Sequence, residues 1–167
     1  LVLYLISDNN SPNPGLNFSK EDALYFYGWY TALVYLACIP GGIISDKFLG
    51  KIKSVFWGGL LLCFGHLSLV FQNHISFISG ITLIIIGVGL LKPNISSLVG
   101  NLYHNNGKIR EQGFTIFYIG INIGAFLSSL TVGYVGEVYG WHYGFTLAGL
   151  GMIIGQTIFI FGQKDLL

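Results

Sequence analysis

Apolar runs long enough to span a bilayer recur along the chain, at 23–44, 54–71, 75–91 and onward, 114–135 and 143–162. Crossing a hydrocarbon core takes about 20 apolar residues of helix. Inside lipid every backbone polar group must be bonded internally, which leaves helices or a closed barrel as the spanning structures. Runs of this length predict an all-α, multi-pass membrane protein. Only 9% of the 167 residues are charged and 53% are hydrophobic. Soluble domains carry about 25% charged residues, so the composition excludes a water-soluble globular fold. Residues 1–6 read as the last turns of a further span, and no basic leader with a cleavage site precedes the first run. The chain therefore reads as a piece that begins at the end of helix 1. Helices 2 to 6 are predicted at about 20–44, 54–72, 75–101, 112–135 and 142–162, as part of an N-terminal bundle whose C-terminal counterpart is absent from residues 1–167.

The placement of charge orients these spans. If residues 1–6 end on the outside, alternation puts 45–53, 101–112 and the C-terminal tail inside. Those segments hold Lys47, Lys51, Lys53, Lys108, Arg110 and Lys164, whereas the outer segments hold only Lys20. Six basic residues against one follow the positive-inside rule, with loops 45–53 and 102–112 cytoplasmic.

Local signals refine the elements. Segment 7–20 is dense in turn formers, and Ser19-Lys20-Glu21-Asp22 resembles a capping box, so a helix is expected to start near Lys20. Pro40 is expected to kink its last turns. The short return at Gln72-Asn73-His74 makes helices 3 and 4 antiparallel neighbours. Gly87, Gly89 and Pro93 predict irregularity or close backbone approach in helix 4. The polar stretch 103–108 reads as a turn, with Glu111 at the positive end of the next helix. Gly120/Gly124 and Gly151/Gly155 have the spacing of close helix contacts in lipid. Glu137, Tyr139, Trp141 and Tyr143 mark an outer turn with its aromatic belt.

Lys92 stands in the apolar run 81–103. An ammonium costs about 2.5–3.5 kcal/mol at the centre of an inserted helix, so a charge retained there is expected to face a water-filled or ligand-filled cavity. Other chemistry is missing. Cys38 and Cys63 sit in apolar spans without close spacing and read as buried thiols. His66, His74, His104 and His142 lack metal-ligand spacing, so no metal or cofactor is expected; His66 reads as a packed, hydrogen-bonded residue. Asn94-Ile95-Ser96 fits a glycosylation sequon but lies at membrane depth. No nucleophile with a base is apparent, so no enzyme is expected, and no basic arm for nucleic acid exists. The cluster Tyr25, Phe26, Tyr27, Trp29 and Tyr30 reads as interface belt and packing.

Three stretches carry a family resemblance. Gly42-Ile43-Ile44-Ser45-Asp46-Lys47-Phe48-Leu49-Gly50-Lys51 resembles the loop motif between helices 2 and 3 of the major facilitator superfamily. Gly87-Val88-Gly89-Leu90-Leu91-Lys92-Pro93-Asn94 is similar to the helix 4 pattern Gly-x-Gly-x-x-Lys-Pro-Asn of the proton-dependent oligopeptide transporter family. Phe117-Tyr118-Ile119-Gly120-Ile121-Asn122-Ile123-Gly124 is similar to the helix 5 signature of that family. The three occur in the family's order over nearly the whole chain.

The resemblance implies a major-facilitator-type N-terminal six-helix bundle working in proton-coupled symport of di- and tripeptides across the inner (plasma) membrane by rocker-switch alternating access. It implies Lys92 as ligand of the peptide carboxylate and participant in proton coupling, Asn122 and Tyr35 as lining the peptide site, and Tyr27 and Tyr118 as further candidates there. Gly42, Asp46, Lys47, Gly50 and Lys51 would form a conformational loop, with Asp46 pairing to a basic side chain. The implied partners are a small peptide, protons, the lipid bilayer and a covalently linked second bundle. The sequence departs from animal members at Gly28, where they carry a histidine, and the helix 1 motif Glu-x-x-Glu-Arg would lie before Leu1. Transport of nitrate or another small anionic metabolite on the same scaffold, and a non-transport membrane subunit, are the alternatives.

Overall fold

The computed structural model describes residues 1–102 and 107–166. The expected polar turn at 103–108 lies outside the described residues up to Asn106, as does His104. Seven α-helices follow one another: α1 (Val2–Ile6), α2 (Lys20–Ile44), α3 (Lys51–Leu69), α4 (His74–Leu102), α5 (Gly107–Ser128), α6 (Tyr134–Val138) and α7 (Trp141–Gly162). A π-helical turn, Ser129–Gly133, joins α5 to α6 in one continuous rod. Five segments, Lys20–Leu49, Lys51–Leu69, His74–Leu102, Gly107–Val138 and Trp141–Gly162, are long and apolar enough to cross a membrane by length and composition.

Helix starts and stops follow from local chemistry. The Ser19 hydroxyl accepts the Asp22 amide at 3.0 Å and donates to the Asp22 carboxylate at 2.7 Å, so α2 begins at Lys20 as expected. At its other end Pro40 does not stop the helix, which runs on to Ile44 and through a π-helical turn, Ser45–Leu49. Only Gly50 leaves the helical region there, at φ 77°, and α3 starts directly after it. The junction expected as a loop is thus almost wholly helical. A left-handed residue suits glycine, which has no Cβ to clash with the backbone. Between α3 and α4 the chain reverses through Gln72, at φ 52°. The Asn73 side chain then accepts the Ser76 amide at 2.7 Å and opens α4.

α3 and α4 form the most extensive pair, with α2 packed on α4 and α7 on α3. Glycines set the α3–α4 distance. A Cβ on Gly58 or on Gly87 would lie 2.8 Å from the other's carbonyl oxygen, and Gly65 faces Gly80 in the same way one crossing further along. Lipid tails are as apolar as leucine, so helices associate in a membrane through close van der Waals packing, and small residues permit it. The pairs expected to do this, Gly120/Gly124 and Gly151/Gly155, do not: nothing among the described residues comes within 4 Å of a Cβ placed on any of the four. The glycines that meet are spread over two helices rather than paired along one.

The α3–α7 contact includes a polar tie. The Gln156 side chain is buried against Gly59 and donates to the Phe56 carbonyl at 2.9 Å. Where sequence places Glu111 at the start of its helix, α5 begins four residues earlier, at Gly107, so the carboxylate sits beyond the first turn. α5 touches α4 near its own beginning, through Arg110 and Phe114 beside Gly100, and buries no residue fully among the described residues.

The two edges of the bundle differ. At one, Asn13 joins segment 7–19 to the α6–α7 turn: its amide donates to the Gly136 carbonyl at 2.8 Å, its side-chain oxygen accepts the Trp141 amide at 3.0 Å, and its own carbonyl accepts the Trp141 indole at 3.2 Å. Tyr4 packs its ring edge-on to Phe145, 5.2 Å away, and near Phe77, closing the apolar core at this end. At the other edge, residues 49–53 meet Leu98 and Asn101 of α4 and Gln163 just after α7. This is the edge rich in lysine and arginine.

Candidate functional site

The position of Lys92 is set by the crossing of α2 and α4. Pro93 has no amide, which leaves the Gly89 carbonyl without its intrahelical partner. That carbonyl is the atom against which Gly41 of α2 packs, so closely that no Cβ could be added to Gly41. On the other side of the crossing, a Cβ on Gly89 would lie 2.6 Å from the Ala37 carbonyl oxygen and 2.9 Å from the Ala37 Cβ. Sequence predicts irregularity or close approach beside Lys92. The structure shows close approach within an α4 that runs unbroken from His74 to Leu102. Asn94, buried at 3% exposure, donates its side-chain amide to the Leu90 carbonyl at 2.7 Å; it serves the helix and is no glycosylation acceptor.

With α2 and α4 locked here, the Lys92 ammonium comes over the Tyr35 ring, 4.2 Å from its centroid. The ammonium is exposed and has no carboxylate partner among the described residues. A cation over an aromatic face gains about 0.5–1 kcal/mol when exposed and about 2 kcal/mol when desolvated. The insertion cost of the charge is about 2.5–3.5 kcal/mol. Tyr35 alone does not offset it, so an anionic partner would stabilise the charge further.

The other candidates are less gathered. Tyr27, Thr31 and Tyr35 follow one another at intervals of four on α2, which places them on one face. The Thr31 hydroxyl donates to the Tyr27 carbonyl at 2.8 Å, and the Tyr27 ring lies 6.4 Å from that of Tyr30. Asn122 and Tyr118 share a face of α5, where the Asn122 amide donates to the Tyr118 carbonyl at 2.8 Å and the Tyr118 ring rests edge-on to Phe117. Both side chains are exposed, and the structure does not bring either into contact with Lys92. Gly28 is open, with nothing within 4 Å of an added Cβ. A surface concavity lined by Glu21, Leu24, Tyr25, Gly28, Trp29 and Ala32 lies along α2 alone, and neither Lys92 nor Tyr35 lines it.

In the loop motif, Gly42, Asp46, Lys47 and Lys51 surround the α2–α3 junction and Gly50 makes its turn. Asp46 is exposed and pairs with no basic side chain among the described residues, contrary to the expected contact. Ser45 beside it is fully buried, as is Ser54, and neither hydroxyl finds a hydrogen-bond partner. His66 is packed, as expected, with its Nδ1 2.8 Å from the Leu62 carbonyl. No group of three or more metal-ligating side chains occurs among the described residues.

Sequence reasoning missed Asn13 and Gln156. A glutamine within a 22-residue apolar helix and an asparagine between Pro12 and Pro14 are both visible in the sequence, but their partners lie more than 90 positions away.

Comparison with known proteins places this geometry in a family. The model of the POT family matches residues 52–165, and the chain belongs to that family. It is 42% identical over 98% of its length to "Uncharacterized transporter YclF" of Bacillus subtilis (strain 168), and 41% identical over 98% to "Di-/tripeptide transporter" of Lactococcus lactis subsp. lactis (strain IL1403). Among solved structures it matches "Crystal structure of peptide transporter POT in complex with sulfate" with a TM-score of 0.93 and 41% identity, covering 98% of this chain and 33% of that one. The chain spans about a third of the length of these relatives. They are transporters rather than enzymes, and the fold is that of their membrane-spanning helices.

Proposed function

We propose that this chain is part of the N-terminal half of a proton-coupled symporter for di- and tripeptides in the inner (plasma) membrane, working by alternating access. The observation that carries the reading is the Lys92 ammonium, held over Tyr35 on an apolar helix long enough to cross a membrane and without a carboxylate partner among the described residues, in a chain 41% identical to a di-/tripeptide transporter. Lys92 binds the carboxylate of the peptide. Tyr35 and Tyr27 on α2, and Tyr118 and Asn122 on α5, offer hydroxyl and amide groups to the peptide backbone from two helices. When the site empties, Lys92 turns to a carboxylate outside residues 1–167, and that exchange couples the peptide to the proton. Such coupling needs the two ligands to favour different global states of two rocking bundles. The second bundle is covalently linked and lies outside this chain. Gly42, Asp46, Lys47, Gly50 and Lys51 form the cytoplasmic loop that sets how the halves meet, with 45–53 and 102–112 on the cytoplasmic side. One charge moving through 100 mV supplies about 2.3 kcal/mol.

Uptake of a labelled dipeptide into vesicles bearing the intact protein tests the reading. With Lys92→Ala, accumulation driven by a proton gradient is expected to vanish. Unlabelled dipeptides compete for uptake by the native protein and nitrate does not. Retained gradient-driven accumulation in Lys92→Ala removes Lys92 from the mechanism, and competition by nitrate moves the substrate to small anions.

A further inference from the structure

At the lysine-rich edge a cavity of about 500 Å³ opens where three parts of the chain meet: residues 49–53 at the α2–α3 junction, Leu98 and Asn101 near the end of α4, and Gln163 just after α7. Its lining divides into two chemistries. Leu49, Ile52 and Leu98 give an apolar wall, whereas Lys51, Lys53, Asn101 and Gln163 carry donors. Among the described residues no carboxylate lines it. Neither lysine forms an ion pair or a hydrogen bond with another described residue, so both charges are available. Gly50 aims the chain here: its turn at φ 77° puts Lys51 and Lys53 within three residues of the helix break, beside the ends of α4 and α7.

We propose that this cavity is a binding site for the phosphate headgroup of an anionic phospholipid. Charge complementarity selects the headgroup, because two lysines with no ion-pair partner among the described residues favour a negative phosphate over a zwitterion of no net charge. The apolar wall selects a lipid over a free anion, because it shares the cavity with the lysines and can take the first acyl carbons. Lysine side chains bury their methylene stems along such a wall and keep the charge at the water boundary. Asn101 and Gln163 add amide donors from two other elements, so a bound headgroup would tie the α2–α3 junction to the ends of α4 and α7. The site is separate from Lys92 and does not depend on what the protein transports.

Native mass spectrometry of the intact protein in neutral detergent, titrated with phosphatidylglycerol and with phosphatidylcholine, tests this. A lysine near a lipid surface changes binding about fivefold. The double variant Lys51→Ala/Lys53→Ala is therefore expected to weaken phosphatidylglycerol binding about 25-fold. Lys51→Arg/Lys53→Arg keeps both charges and should hold the lipid within about twofold, which separates lost charge from lost folding. Lys20→Ala, at the far end of α2 from the cavity, removes a lysine charge elsewhere and should leave binding nearly unchanged. Equal binding of the two lipids, or a weakening in Lys20→Ala as large as in the double alanine variant, overturns the site. Displacement of phosphatidylglycerol by inorganic phosphate at equal concentration overturns the lipid as its occupant. Peptide uptake is a separate readout, so either proposal can fail alone.

Discussion

Replacing Gly89 by alanine tests the packing that positions Lys92. The added methyl carbon would sit 2.6 Å from the Ala37 carbonyl oxygen. Non-bonded carbon contacts are most favourable at about 3.5–4.0 Å, so α2 and α4 would have to part by about 1 Å. The obstacle is backbone, which has no rotamer to escape into. The cost therefore falls near the top of the range for overpacking, about 3 kcal/mol. Alanine regains about 1 kcal/mol of helix propensity over glycine. The net loss is about 2 kcal/mol, or a shift of about 30-fold in the unfolding equilibrium. Denaturant titration of the intact protein in mixed micelles measures it. Lys92 lies one turn beyond the contact, so the same displacement draws its ammonium away from the Tyr35 ring, from 4.2 Å toward the limit of about 6 Å for a cation–π contact. Peptide uptake should fall together with stability. A Gly89→Ala protein that unfolds at the native denaturant concentration and transports at the native rate would refute the argument that this crossing positions Lys92.

Two further substitutions probe contacts that sequence did not reveal. Gln156→Leu removes the donor to the Phe56 carbonyl and puts a branched carbon beside Gly59, and is expected to cost about 1–2 kcal/mol in the same titration; no change would mean that the polar bridge between α3 and α7 contributes nothing. Asn13→Ala breaks the tie between segment 7–19 and the α6–α7 turn, so amide hydrogen exchange in 7–18 and near Trp141 should accelerate by about tenfold or more. Unchanged exchange would show that the segment is held by its other contacts.

Much of the architecture can be read residue by residue. Ser19 and Asp22 announce the start of α2, and the short return at 70–73 requires α3 and α4 to be neighbours. Lys92 stands out because a charge in an apolar run has a known cost, and the three motifs supply the family. Glycine pairing was less legible. Gly120/Gly124 looks on paper like a better contact than Gly58 and Gly87, which lie 29 positions apart, yet among the described residues it is Gly58 and Gly87 that touch. Gly87, Gly89 and Pro93 leave two outcomes open in sequence, an irregular helix or a close backbone approach. In the fold the freed Gly89 carbonyl is covered by Gly41, and the helix stays regular.

The sequence by itself determined the membrane class, the order and approximate extent of the spans, the contrast between a basic edge and its opposite, and the place of Lys92 within an apolar helix. All of these follow from properties carried within one segment: apolar length, capping residues and charge. The tertiary structure decided which face each helix turns to its neighbours, and with it the Tyr35–Lys92 contact, the use of Asn13 and Gln156 as ties, and the cavity beside Lys51 and Lys53. The reason lies in the solvent. A helix in water marks its buried face by hydrophobicity, whereas in lipid the buried and the exposed faces are both apolar, so rotation about the helix axis leaves little trace in the pattern of residues.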